Sequence, residues 1–205
     1  MTTTNFVPES LSLAIASDQP KIGLANLIIS NHQRFWNDIA IFGDYRPWGV
    51  HRAMGGDRSN YPEYSGKILD LKDGKDGAAA YFANLMAPAL GDNFAVAVVP
   101  GHDPARVSPG LRTLAAEIAK GGRQRLDASG VLLRTKRIDK LAHGGDRSEQ
   151  VHLESVSVGD PRSVAMRDIL LLDDVTKTGH SLHACRRLLA QAGARSVVCA
   201  AIGLV

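Results

Sequence analysis

Aromatic residues are scarce in this sequence, and after Phe94 there are none: the 2 Trp, 4 Tyr and 5 Phe all lie between Phe6 and Phe94. Whatever the second half binds, it binds without ring stacking of its own. Cysteine is nearly missing as well. Cys185 falls in a helical pattern and Cys199 in a strand pattern, without CxxC spacing, so a disulfide scaffold is excluded and both read as reduced core thiols. No apolar run reaches the ~18 residues of a membrane span, and Met1 to Asn5 is not the basic start of a signal peptide. The expectation is a cytoplasmic protein with no membrane partner. A large excess of one charge is also lacking. The 24 basic and 21 acidic residues leave a net charge of +3, far short of a dedicated nucleic-acid binder.

The chain does have the material for a core: 205 residues, 44% apolar and 22% charged, enough for one ordinary globular domain with additions. Met1 to about Lys21 is rich in Ser and Thr and gives no firm pattern. From Leu24 to Phe42 the apolar residues fall mostly three, four or seven apart, which predicts an amphipathic helix. Gly43 to Gly66 is broken by Pro47, Gly49, Gly55, Gly56 and Pro62 and reads as an aromatic-bearing cap. The division is therefore residues 1–66 as extension and cap, and 67–205 as the main domain.

The main domain alternates strand and helix. It opens on the short apolar run Ile68 to Leu71, followed by an Ala-rich helix from Ala78 to Leu90 stopped by Gly91. Phe94 to Val99 is a buried strand ended by Pro100, Leu111 to Lys120 a helix ended by Gly121 and Gly122, and Val131 to Leu133 a further strand. Val151 to Val158 alternates as a half-exposed strand would. Ile169 to Leu172 is an apolar strand, Thr178 to Ala192 a helix, and Ser196 to Ile202 a last strand. Strands without alternation, separated by helices, predict an α/β fold with a parallel sheet covered on both faces.

The stretch that carries chemistry runs from Asp168 through Ile-Leu-Leu-Leu to Asp173-Asp174-Val175-Thr176-Lys177-Thr178-Gly179-His180-Ser181. An apolar strand delivers two carboxylates to its C-terminal end, and a hydroxyl-rich turn then opens a helix. Ligands bind at that end of an open parallel sheet. The turn offers N–H groups, the hydroxyls of Thr176, Thr178 and Ser181 and the positive end of a helix dipole, all suited to a phosphate. Carboxylates just before it suit sugar hydroxyls, so a phosphorylated ribose meets both halves. The plainer alternative is a strand ended by two acids before a helix capped by Thr176 or Thr178; strand, turn and helix together favour the site.

This segment resembles the phosphoribosyl-diphosphate (PRPP) binding motif of type I phosphoribosyltransferases. The resemblance implies their Rossmann-like fold, with Asp173 and Asp174 on the ribose hydroxyls and the loop Thr176 to Ser181, with Val175, around the 5′-phosphate. Lys177 stands where the family usually has Thr. Its ammonium could strengthen phosphate binding, point to solvent, or suit a differently charged ligand. The turn Pro100-Gly101-His102-Asp103 matches the family's early loop, which implies contacts to pyrophosphate and Asp103 as an oxygen ligand of Mg²⁺. The basic stretch from Arg134 to Arg147 corresponds to the loop that closes over PRPP; Arg137, Lys140 and Arg147 are the candidates to enter the site, and with Asp173 and Asp174 they would carry catalysis.

The order of parts from Tyr64 onward is similar to the ComF branch of these proteins, associated with DNA uptake, although the branch's N-terminal zinc ribbon of four Cys is absent. Any nucleic-acid link rests on that resemblance alone. Lys72 could reach a phosphate or an acceptor, or lie on the surface. Around His180 and His183 the sequence shows no cluster of acids or Cys that would mark a metal site. Trp36, Trp48, Tyr61 and Tyr64 could stack on a base, or simply pack. The resemblance implies transfer of phosphoribosyl to or from a nitrogenous base with Mg²⁺, from PRPP or a nucleoside monophosphate. The alternative is a non-catalytic PRPP- or nucleotide-binding module. The acceptor and a homodimer stay open.

Overall fold

The computed structural model describes residues 34–105, 108–138 and 148–205. Among these residues eight strands and six α-helices follow one another: β1 (Arg34–Trp36), β2 (Ile39–Ile41), α1 (Trp48–Ala53), α2 (Glu63–Lys72), α3 (Ala78–Met86), β3 (Ala95–Val98), α4 (Pro109–Lys120), β4 (Leu126–Asp127), β5 (Leu132–Arg134), α5 (Glu149–Ser155), β6 (Val156–Val158), β7 (Asp168–Thr176), α6 (His180–Gln191) and β8 (Ser196–Leu204). Six strands make one sheet in the order β1-β2-β8-β7-β3-β4, parallel throughout except for the β1–β2 hairpin. β5 and β6 form a separate antiparallel pair. The fold is thus α/β around a mostly parallel sheet, as the sequence predicts.

Burial explains why the central strands read as unbroken apolar runs. β3 is buried at every position, and so are the first five residues of β7. Alternate residues feed two cores. Leu170 and Leu172 join Ile68, Phe82, Leu111 and Leu114 under α2, α3 and α4. Ile169 and Leu171 join Leu182, Cys185, Leu189 and Cys199 under α6, on the face that also receives Leu132 of β5 and Val156 of β6. Each such Leu removed from water contributes roughly 1.5–3 kcal/mol. Both cysteines are buried free thiols.

Two expectations need correction, and one apolar run finds its element. The part of the predicted Leu24–Phe42 helix within the described residues is the β1–β2 hairpin: Asn37 and Asp38 take positive φ of 47° and 60°, the turn geometry that suits a two-residue hairpin loop. Spacings of three and four among Phe35, Ile39 and Phe42 fit a hairpin as well as a helix. The Ile68–Leu71 run lies within α2, where Ile68 and Leu71, one helical turn apart, are buried. Val151 to Ser155 belongs to α5, not to a strand; only Val156–Val158 is extended. There His152 and Ser155, again three apart, face inward, and Gln150 bonds Glu154 across one turn. Val131 to Leu133 is strand-like as predicted, but pairs with β6 outside the main sheet. Strands from either side of residue 66 share one sheet, since β2 pairs with β8.

The connections fix where a ligand would sit. From β3 the chain crosses through α4 to β4 on one side, and from β7 through α6 to β8 on the other. Since β3 and β7 are neighbours, the crevice beyond their carboxyl ends is the topological switch point, the usual ligand position in open α/β sheets.

Candidate functional site

Both sequence-predicted turns meet at this switch point. β3 pairs with β7 through Val98 and Leu172, and Val99 N–H still donates to Leu172 O at 2.9 Å, so the turn from Pro100 leaves beside Asp173 and Asp174. β7 runs past its apolar part to Thr176 because β8 keeps pairing with it as far as Leu204. Successive strand residues face opposite sides, and the two acids divide accordingly. Asp173 turns toward α6, where its Oδ2 accepts a hydrogen bond from Ser181 Oγ at 3.0 Å and its Oδ1 accepts from Asp174 N–H at 2.9 Å. Asp174 turns toward α2, with Oδ1 at 3.5 Å from Lys72 Nζ. The same ammonium lies 5.1 Å from the ring centre of Tyr45.

The turn between β7 and α6 is tight. Thr176 is buried and its Oγ1 accepts from Gly179 N–H at 3.1 Å, which fixes the loop, while Lys177 and Thr178 are exposed. Gly179 has φ +79°, a conformation that favours glycine, and a Cβ there would lie 2.9 Å from Ile39 Cδ1, so any side chain would also have to displace that buried methyl. The turn leads into the 12-residue α6, whose first N–H groups and dipole favour an anion. His180 opens this helix, and His183 Nε2 is 3.0 Å from Asn37 O, tying the helix start to the β1–β2 hairpin.

The turn after β3 is held from below. The buried guanidinium of Arg134 donates from Nε to Gly101 O at 2.7 Å and from NH2 to Pro100 O at 3.1 Å, while its NH1 donates to Ser155 Oγ at 2.6 Å. Ile138 N–H donates to His102 O at 3.0 Å, and Arg137 Nε is 3.9 Å from Asp103 Oδ2. Asp103 Oδ1 accepts from Ala105 N–H at 3.0 Å, shaping the turn itself. A cleft of about 180 Å³ opens here, lined among others by Gly101, Asp103, Ser108, Arg112, Ser129 and Arg134.

Burial pushes the Asp173 carboxyl up to about 7, with the Asp174 charge adding to the rise and the Ser181 hydrogen bond opposing it. An unfolded Asp titrates near ~3.9, so the folded chain holds this proton more tightly. Asp173 therefore contributes stability that is complete below about pH 4 and is lost as pH rises through about 7. Chemical denaturation between pH 4 and 8 is expected to show Asp173→Asn gaining stability relative to wild type as pH rises. Parallel pH profiles for the two proteins would contradict this.

The structure brings together Asp173, Asp174, Lys72, Ser181 and the 176–179 turn, with Pro100 to Asp103 and Arg137 on the neighbouring strand's side. Lys140 and Arg147 lie outside the described residues. The aromatic group divides: Trp48 and Tyr61 pack edge to face at 5.1 Å with His51 beside them, Tyr64 donates to Ile202 O at 2.8 Å and packs on Phe82, and Trp36 packs on the α6-side core. Among the described residues no group of three or more His, Cys, Asp or Glu could hold a metal ion by itself, and no helix is long and apolar enough to cross a membrane. Two participants were not among the predicted site residues. Tyr45 belongs to the irregular cap, which carries no periodic signal; Arg134, the first charge of the basic stretch and the end of a short apolar strand, is the signal that could have been followed. No family model and no curated protein matches the chain.

Proposed function

We propose that this chain is a type I phosphoribosyltransferase-like protein that binds PRPP or a ribose 5-phosphate nucleotide. The observation that carries the reading is the convergence of two turns, each following a neighbouring parallel strand, on either side of Asp173 and Asp174 at the switch point. PRPP has an anionic group at each end of a sugar that displays hydroxyls between them. The crevice has the same order: the α6 N-terminal turn, two carboxylates, and the Pro100–Asp103 turn.

Mg²⁺ on phosphates takes only one or two protein carboxylates. Asp103 gives Oδ1 to Ala105 N–H and keeps Oδ2 at 3.9 Å from the exposed Arg137, beyond hydrogen-bond reach, so Oδ2 would be the oxygen to hold such an ion; bound there, the ion would neutralise charge on the pyrophosphate. In transfer, the lone pair of a nitrogen acceptor forms the bond to ribose C1 as the bond to pyrophosphate oxygen breaks. The chain's own work is then positioning and charge stabilisation: Asp173 and Asp174 hold the hydroxyls, the turn at Gly179 holds the 5′-phosphate, and no covalent nucleophile is required.

A second reading, a PRPP- or nucleotide-binding module without turnover, is favoured by one observation. Trp48 and Tyr61 pack on each other and on His51 rather than forming an open shelf for a base. Calorimetric titration with PRPP and Mg²⁺ tests the site, and pyrophosphate release across a panel of bases tests transfer. Binding with release for some base is the expected result; binding without release for any base selects the module, and no binding by the folded protein overturns both readings.

A further inference from the structure

Arg134 ends β5, outside the main sheet, yet its guanidinium reaches the turn after β3 and is buried there. It bonds two successive carbonyls of that turn, Pro100 O and Gly101 O, and Ile138 N–H takes the third, His102 O. Two consecutive carbonyls are thereby drawn toward Arg134, and the third is engaged by the chain that follows β5. No peptide bond among the described residues is cis, and in a trans peptide the C=O and the following N–H point in opposite directions. The peptide units that begin at Pro100 and at Gly101 therefore turn the N–H groups of residues 101 and 102 away from Arg134. Successive N–H groups turned to one side of a short loop form an anion-binding concavity.

Such a conformation needs enforcement, because aligned carbonyl dipoles repel one another and relax unless something positive holds them. A guanidinium can hold them, since its planar fork spans two acceptors at once and its charge is opposite to the carbonyl partial charges. Its own orientation is fixed from the far side by Ser155 Oγ, which also donates to Val151 O at 2.5 Å, and by His152 Nδ1 at 3.4 Å from NH2.

We infer that Arg134 is a positioning residue that holds the Pro100–Asp103 turn in an anion-accepting conformation, so that the diphosphate end of PRPP is recognised through a group that does not touch it. The inference rests on the PRPP reading above, and it distinguishes the two ends of the ligand. Loss of Arg134 is expected to weaken whatever occupies this turn and to spare the 5′-phosphate, which the turn at Gly179 binds.

The test compares wild type, Arg134→Met and Arg134→Lys for PRPP and for ribose 5-phosphate, both with Mg²⁺, by calorimetry. Arg134→Met is expected to lose about tenfold or more in PRPP affinity, the loss of about one charge-assisted hydrogen bond, with ribose 5-phosphate changed less than about twofold. Arg134→Lys keeps the charge but not the fork and is expected to recover part of the PRPP loss. Equal effects on both ligands, or none on either, overturn the positioning role while leaving the PRPP reading intact. If Arg134→Met does not fold, the same comparison is read from Arg134→Lys, where a loss confined to PRPP supports the role and an unselective loss overturns it. Wild type that binds neither ligand overturns the PRPP reading and this role with it.

Discussion

Replacing both Asp173 and Asp174 by Asn is expected to weaken PRPP binding by at least about 100-fold while lowering the thermal midpoint by no more than a few degrees. The affinity loss follows from the chemistry of sugar recognition. A hydroxyl donating to a carboxylate makes a charge-assisted bond worth roughly 1.5–3 kcal/mol, and two such groups lost together amount to about two to four powers of ten. Little stability should be lost, for a different reason at each position. Asp173 is raised by burial, so its charge is already unfavourable in the fold at neutral pH. An Asn carbonyl oxygen can still accept the N–H of residue 174. Asp174 pairs with Lys72 across 3.5 Å in a partly exposed setting, where ion pairs contribute ~0–1 kcal/mol. Calorimetry and a thermal melt on the same preparation check both halves. Unchanged affinity would remove the acids from the site, and a variant that unfolds would make them structural residues of β7.

The division of the two acids is where reading the sequence and seeing the structure differ most. The motif from Asp168 to Ser181 was legible because its parts are local: an apolar run, two charges, hydroxyls and a glycine, each with a meaning fixed by its neighbours. Gly179 illustrates this, since its positive φ serves a turn that the sequence already marks. That Asp173 would turn toward Ser181 and Asp174 toward Lys72 depends on how far β8 continues to pair, and Val175↔Gly203 and Thr176↔Leu204 are contacts between distant residues. The same limit explains Arg134, whose bonds to Pro100 and Gly101 cross more than thirty positions of chain. The Leu24–Phe42 helix failed over its described part, from residue 34 on, for another reason. Phe35, Ile39 and Phe42 satisfy helical spacing, but Asn37-Asp38 between them is a hairpin signal, and two residues outweighed the periodicity. At Val151 to Val158 the alternation runs across the end of a two-turn helix and a three-residue strand, and so could not separate the two.

Gly110→Ala is expected to cost more than about 3 kcal/mol of stability, the largest effect foreseen for a single methyl group in this chain. Gly110 is the second residue of α4, packed directly on the last turn of α2: a Cβ there would lie 1.6 Å from Leu71 O and 2.6 Å from Leu71 C. Both are backbone atoms, so no side-chain rotation can relieve the overlap and the two helices must move apart. Overpacking in a core commonly costs 1–3 kcal/mol when side chains can adjust; here the strain falls on main chain, which places the change in the uncommon severe class. Gly49→Ala in α1 is the control, since no heavy atom lies within 4 Å of its added Cβ. Alanine in a helix is favoured over glycine by about 1 kcal/mol, so that variant should be neutral or slightly stabilised. Urea denaturation of both separates them. The contact also reaches the candidate site. Leu71 immediately precedes Lys72, so pushing α2 away from α4 moves the ammonium that faces Asp174. Any Gly110→Ala protein that remains folded should therefore bind PRPP more weakly than wild type, whereas Gly49→Ala should bind it equally well. Wild-type stability and affinity in Gly110→Ala would mean that the α2–α4 contact sets neither the packing nor the position of Lys72.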